Sequence, residues 1–278
     1  MHPDHQTAKT EFVSKGDQTY AYRRFGKGDG VPLMFLIHFR GNMDLWDPLL
    51  INSIAQSRPV ILFDNAGVGK SNGAVATTIE GMAKHVIDFL DVIGETEIDL
   101  LGFSMGGYIT QLVALNAPAG QIRRLIITGS GSSGGEGVMN HPIEQQKQVG
   151  QLAGQPEAYW KRVNERNEAT SGEERSQVVS YNYADGGAGV KAMGAANQSF
   201  ADPSQSSAGS LQRLKELKMP VFIAQGHDDF MIPTTNSFLM QQRLPNARLK
   251  IFPDSGHGSL YQYPVEFAGD VARFLEMA

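Results

Sequence analysis

Six apolar runs recur along the chain, each short enough to be one buried strand: VPLMFLIH (31–38), RPVILFDN (58–65), EIDLLGF (97–103), IRRLIITG (122–129), PVFIAQG (220–226) and RLKIFPD (248–254). Their near-continuous apolarity, without polar alternation, marks strands covered on both faces, as in a mostly parallel sheet. Between them the period lengthens. In TIEGMAKHVIDFLDVIG, residues Ile79, Met82, Val86, Phe89, Leu90 and Ile93 recur at helical spacing and Gly94 stops the run. MGGYITQLVALNAP predicts a second helix, closed before Pro118, and PVEFAGDVARFLEMA contains the last. Near the N-terminus, EFVSKGDQTYAYRRFG reads as a hairpin turning near Lys15-Gly16-Asp17. The expectation is an α/β fold with a mostly parallel central sheet flanked by helices.

The rhythm breaks between Gly129 and about Leu211. GSGSSGGEG predicts a flexible loop. After it come helical patterns without intervening strands: HPIEQQKQVGQLAG, PEAYWKRVNERNEA, GEERSQVVSYNYADG and VKAMGAANQSFADP, with breaks at Pro142, Pro156, Gly172 and Gly186-Gly187. LQRLKELKMP then returns the chain to the sheet. The expected organisation is a core of residues 1–131 and 210–278 with an inserted helical cap at 132–209.

Composition narrows the function classes. The chain has 278 residues, 41% hydrophobic, enough for one large core with an insertion. A net charge of -5 offers no attraction for nucleic acid or an anionic membrane. MHPDHQTAKT lacks the apolar centre of a signal peptide, and no apolar run approaches the roughly 18 residues of a span, so a cytoplasmic protein without a membrane partner is expected. With no cysteine there is no disulfide, thiolate nucleophile or Cys-based zinc site. Monomer and homodimer both stay open.

The run EIDLLGF leads directly into Gly102-Phe103-Ser104-Met105-Gly106-Gly107 and then a helix. G-x-S-x-G at a strand–helix junction places a serine on a strained turn, with small neighbours that let strand and helix approach. The turn lifts the hydroxyl to the sheet's carboxyl edge and aims the Met105 amide at developing negative charge. A second match, Gly131-Ser132-Ser133-Gly134-Gly135, has no helix immediately after it and is set aside.

A serine hydroxyl needs a base, itself oriented by a carboxylate. Of seven histidines, His2 and His5 fall in an expected loose terminus, His85 inside a helix and His141 at the cap's start. His257, in Ser255-Gly256-His257-Gly258, lies after a strand at the edge where Ser104 emerges. After PVFIAQG, either Asp228 or Asp229 serves as the acid on chemistry alone, the other capping the next helix.

These motifs, from about Tyr20 to the C-terminus, resemble the α/β-hydrolase fold family, in its branch of capped small-molecule esterases and hydrolases. The shared features are His38 with Trp46, the turn Asp64-Asn65-Ala66-Gly67-Val68-Gly69-Lys70-Ser71, GFSMGG, GHDDFMIP and SGHG. The family's acid motif, G-x-x-D-x-x-V/I-P, falls on Gly226, Asp229, Ile232 and Pro233, so the resemblance implies Asp229 as the acid. Two departures stand out: Phe39 replaces the glycine usual after His38, and Ala66 replaces an arginine. On the family's spacing the oxyanion donors are the amides of Met105 and Arg40, with Phe39 the next candidate. Phe39, Trp160 and Met231 are the expected substrate-contacting side chains.

The implied activity is cofactor-independent cleavage of a small, fairly apolar ester by Ser104, His257 and Asp229. A lactonase, a carbon–carbon bond hydrolase or a perhydrolase-like enzyme would use the same triad, and a non-catalytic small-molecule receptor could keep it. AGVGKS misses a phosphate-binding loop because Asp64 stands where glycine is needed. Gly67-Val68-Gly69 misses a dinucleotide fingerprint at Asn72. No metal is expected, since His227, Asp228, Asp229 and His257 are better explained by the triad.

Overall fold

The computed structural model describes residues 3–139, 187–202, 204 and 209–277. Three of the expected cap helices, at 141–154, 156–169 and 172–186, lie outside the described residues, as does Trp160.

The hairpin is formed by β1 (Glu11–Lys15) and β2 (Gln18–Gly26), antiparallel, with Lys15 opposite Gln18. That pairing leaves Gly16-Asp17 as a two-residue turn, and Gly16 takes the positive φ of 60° that such turns require. Six more strands complete the sheet: β3 (Leu33–Leu36), β4 (Pro59–Phe63), β5 (Ile98–Phe103), β6 (Ile122–Thr128), β7 (Val221–Gly226) and β8 (Ala247–Phe252). The order is β1-β2-β4-β3-β5-β6-β7-β8, and from β4 to β8 every pairing is parallel. All six parallel strands therefore deliver their carboxyl ends to one edge, where an open α/β sheet binds its ligands.

Helices α1 (Pro48–Ala55), α2 (Ile79–Val92), α3 (Met105–Asn116), α4 (Ala188–Ala201), α5 (Thr235–Arg243), α6 (Ser259–Gln262) and α7 (Pro264–Glu276) accompany the sheet. Successive strand residues point to opposite faces, which explains the unbroken apolar runs. Met34, Ile61, Leu100 and Leu125 pack with Val86 and Phe89 of α2 and Leu112 of α3. Phe35, Leu62, Leu101 and Ile126 pack on the other face with Ile51 of α1 and Val271 and Phe274 of α7. Among the described residues, no helix is long and apolar enough to cross a membrane.

Three expectations change. Strand β3 ends at Leu36, two residues short of His38, because α3 lies hard against it: a Cβ on Gly106 would stand 1.9 Å from the Leu36 carbonyl oxygen. The Gly/Ser segment after β6 is packed, with Ser130, Ser132 and Ser133 buried. Ser133 accepts from the Leu211 amide at 2.9 Å, the Ser133 amide donates to Ser210 Oγ at 3.1 Å, and Gln111 donates to the Gly131 carbonyl at 2.7 Å. Small residues there permit close approach instead of freedom. Finally, His5 is 1% exposed, with its ring 6.4 Å from that of Phe25 and its amide on Asn52, so the N-terminal segment is held.

The glycine at 106 gives a direct test of this packing. Gly106→Ala drives a methyl into backbone that cannot rotate away and should cost about 3 kcal/mol or more in urea unfolding. Gly94→Ala, at a φ of 72° with nothing within 4 Å, should cost only about 1 kcal/mol.

Candidate active site

Ser104 sits between β5 and α3 at φ 56° and ψ −121°, a conformation that strains a side-chain-bearing residue by about 1–3 kcal/mol. Missing side chains make the turn feasible. A Cβ on Gly102 would lie 2.3 Å from the Gly106 carbonyl oxygen, and one on Gly107 would lie 2.4 Å from Ser130 Oγ. Hydrogen bonds hold Ser104 from both sides: its amide donates to the Thr128 carbonyl at 3.0 Å and its carbonyl accepts from Ser130 Oγ at 2.8 Å.

The loop after β8 brings His257 to this serine. Its Nε2 lies 2.9 Å from Ser104 Oγ and its Nδ1 lies 2.9 Å from Asp229 Oδ2. Only a protonated Nδ1 can serve a carboxylate, which leaves Nε2 as the acceptor of the serine proton. Asp229 Oδ1 accepts from the amides of Met231 and Ile232, each at 2.9 Å. The loops after β7 and β8 close on one another because Gly226 has no Cβ, which would stand 2.1 Å from the Gly256 carbonyl oxygen. Asp228 turns outward instead and meets His227 at 2.8 Å on the surface. The geometry thus separates the two aspartates that residue chemistry left equal. The same outward turn separates His227 and Asp228 from Asp229 and His257, and among the described residues no group of three or more His, Asp or Glu is placed to hold a metal.

A tight turn succeeds β3, closed by the Gly41 amide on the His38 carbonyl at 3.0 Å. Arg40 occupies its third position at φ 65°, where glycine is usual. The Arg40 amide donates to Met193 Sδ on α4 at 3.4 Å, so it is engaged. The amides of Phe39 and Met105 have no hydrogen-bond partner among the described residues. Of the two turn amides named from spacing, that of Arg40 is thus occupied and that of Phe39 has no partner among the described residues.

The segment beyond this turn is firmly anchored. Asp64, after β4, accepts from the Met43 amide at 2.7 Å and the Lys70 amide at 3.0 Å. The buried Arg23–Asp44 ion pair, with 2.5 Å between its own charged atoms, lies beside it, and Trp46 packs on Phe35 with ring centroids 5.3 Å apart. Burial, with Asp44 adding to it, pushes the Asp64 carboxyl up to about 7, although both amides pull the other way. The stretch resembling a nucleotide loop is thus an internal brace. His38 donates Nδ1–H to the Phe39 carbonyl at 2.8 Å, and burial pulls its pKa down to about 4, so it is neutral at pH 7. Its ring meets Phe103 at 5.5 Å, and Phe103 in turn meets His257 at 5.1 Å.

Two contributors were not among the residues expected from sequence. Gln225 donates Nε2–H to Asp229 Oδ2 at 2.7 Å and to the Ile232 carbonyl at 3.0 Å. A polar residue within the apolar run PVFIAQG is the signal that could have found it. Met193 has no such signal, because its partner is 153 positions away. Of the expected substrate contacts, Phe39 and Met231 are half-buried at the turns flanking the site.

The fold and this strand–serine–helix junction define an α/β hydrolase architecture. Residues 32–264 match the alpha/beta hydrolase fold family, and the chain belongs to it. A solved alpha/beta hydrolase fold protein from Chitinophaga pinensis is 30% identical and superposes with a TM-score of 0.80, covering 99% of this chain and 100% of that one. A 2-hydroxy-6-oxononadienedioate/2-hydroxy-6-oxononatrienedioate hydrolase of Burkholderia vietnamiensis is 29% identical over 78% of this chain and 76% of its own length. A protein of Azorhizobium caulinodans named "Putative carbamate hydrolase RutD" is 28% identical over 80% of this chain and 82% of its own.

These contacts define two measurements. Gln225→Leu removes one donor from a buried carboxylate and should lower the unfolding free energy by about 1–3 kcal/mol in urea titration. His38 gives a pH dependence. Its folded pKa of about 4 lies below the ordinary 6.5, so its contribution to stability is complete above pH 6.5 and is lost as pH falls toward 4. The stability gap between wild type and His38→Gln should shrink over that window by about 3 kcal/mol, read from urea midpoints.

Proposed function

We propose that the protein is a cofactor-independent serine hydrolase of small, fairly apolar esters, with Ser104 as nucleophile, His257 as general base and Asp229 as its orienting acid. The observation that carries this reading is the continuous hydrogen-bonded chain from Ser104 Oγ through His257 to Asp229, both links 2.9 Å, starting at a serine on a strained turn. His257 Nε2 takes the Ser104 proton as Oγ attacks the substrate carbonyl. The oxyanion is bound by the amides of Met105 and Phe39; Arg40 adds its own if Met193 withdraws. The imidazolium returns its proton to the leaving alcohol, and an acyl group remains on Oγ. Water, deprotonated by His257, then releases the acid. Asp229 stays ionised throughout and offsets the imidazolium charge.

Residues 132–209 are the cap in this reading. Its α4 supports that role through Met193 on the Arg40 turn and Phe200 against Tyr108 of α3, with ring centroids 4.8 Å apart. Carbon–carbon bond hydrolysis is the second reading, favoured by the relative from Burkholderia vietnamiensis. It would use the same three residues on a vinylogous diketone.

Hydrolysis of p-nitrophenyl butyrate by the purified chain tests the proposal. Ser104→Ala should lower kcat by on the order of 10⁴- to 10⁶-fold with the fold intact by circular dichroism. Near-normal turnover in that variant would overturn the assignment. Ser104-dependent cleavage confined to vinylogous diketones would favour the second reading.

A further inference from the structure

The sheet order separates the two sides of Ser104. Asp229 and His257 come after β7 and β8, whereas β3 and β4 lie on the other side of β5. On that other side is a cavity of about 30 Å³, walled by Leu36, Ile37 and Phe63 from the strand ends, Val68 and Val75 from the loop after β4, and Met193 from α4. His38, Gly41 and Met105 also line it, so it adjoins both the turn after β3 and the residue after Ser104. Neither His257 nor Asp229 touches it.

Resting on the serine-hydrolase reading, we propose that this cavity is the acyl subsite and that it selects short, uncharged acyl chains, acetyl to butyryl. The leaving alcohol must receive its proton from His257 Nε2 and so occupies the β7–β8 side. The acyl chain, across the carbonyl carbon, then points toward β3 and β4. Size sets the upper limit. A water-sized group needs about 10–15 Å³ of such space, so the cavity holds roughly two, or two to three carbons beyond the carbonyl.

Polarity excludes charge. Among the described residues lining the cavity, only His38 and Asn65 are polar. Asn65 donates one Nδ2–H to the Met82 carbonyl at 3.2 Å, and its Oδ1 accepts from the Ala66 amide at 2.8 Å. His38 spends Nδ1 on the Phe39 carbonyl. Among the described residues lining it there is no cationic side chain to compensate a carboxylate, whose burial without a partner is strongly unfavourable. Ala66, which replaces the arginine of the related motif, lines the same space and keeps it open.

The test is a series of p-nitrophenyl esters from acetate to octanoate, with the monosuccinate as the charged member. In the wild type, kcat/KM should rise about three- to fourfold for each CH₂ that fits, peak by butyrate and fall at least about tenfold by octanoate. The monosuccinate should lie at least about a hundredfold below butyrate. Ala66→Leu, filling the cavity, should move the peak to acetate. Val75→Ala, a truncation in a half-buried loop, should move it to hexanoate, and remains informative if the first variant folds poorly. Superimposable chain-length profiles in the wild type and Val75→Ala, or a monosuccinate as good as butyrate, would overturn the subsite while leaving the serine-hydrolase reading standing. Absence of turnover for every ester would remove both.

Discussion

The approach of α3 to the ends of β3 and β5 is the constraint on which the site depends. Three glycines with no room for a Cβ, at 102, 106 and 107, bring helix backbone against strand backbone and against Ser130. The consequence is local and chemical. Ser104 is forced to a φ of 56°, its amide and carbonyl are consumed by Thr128 and Ser130, and its hydroxyl is left at the sheet's carboxyl edge. The same contact ends β3 early and frees the chain for the turn at His38–Gly41. A single close approach therefore sets both the position of the serine and the start of the turn that faces it.

The remaining groups are fixed by braces that do not touch the serine. On one side Asp64 ties the loop after β3 to the loop after β4, and Arg23–Asp44 and Trp46 hold the same loop from below. On the other, Gln225 and two amides saturate Asp229 while the loops after β7 and β8 pack through Gly226. Preorganisation of this kind matters because a donor aimed in advance needs no reorganisation when charge develops. The neutral His38 meets Phe103 edge to face, and Phe103 in turn packs against the His257 ring.

Much of this is legible in the sequence, for identifiable reasons. The apolar runs mark the strands because burial on both faces leaves no polar alternation, and a serine flanked by glycines at a strand–helix junction has few structural uses. Asp228 and Asp229 are chemically equal, so residue type cannot choose between them; the resemblance to a motif favours Asp229, and geometry shows which one turns inward. Composition misleads at GSGSSGGEG and at His5, because small or terminal residues report conformational freedom only when nothing packs on them. Spacing points to the Arg40 amide, but its engagement by Met193 arises from a contact between distant segments that no local pattern records.

The central claim is that Ser104 is the reactive nucleophile, and covalent trapping addresses it without reference to any substrate. Treating the intact chain with a fluorophosphonate, then weighing it and mapping its peptides by mass spectrometry, should give a single adduct on the peptide carrying Ser104. It should disappear in His257→Ala, where the hydroxyl has no base. An adduct elsewhere, such as on Ser130 or Ser133, or an unmodified Ser104 in a chain that still hydrolyses esters, would contradict the account.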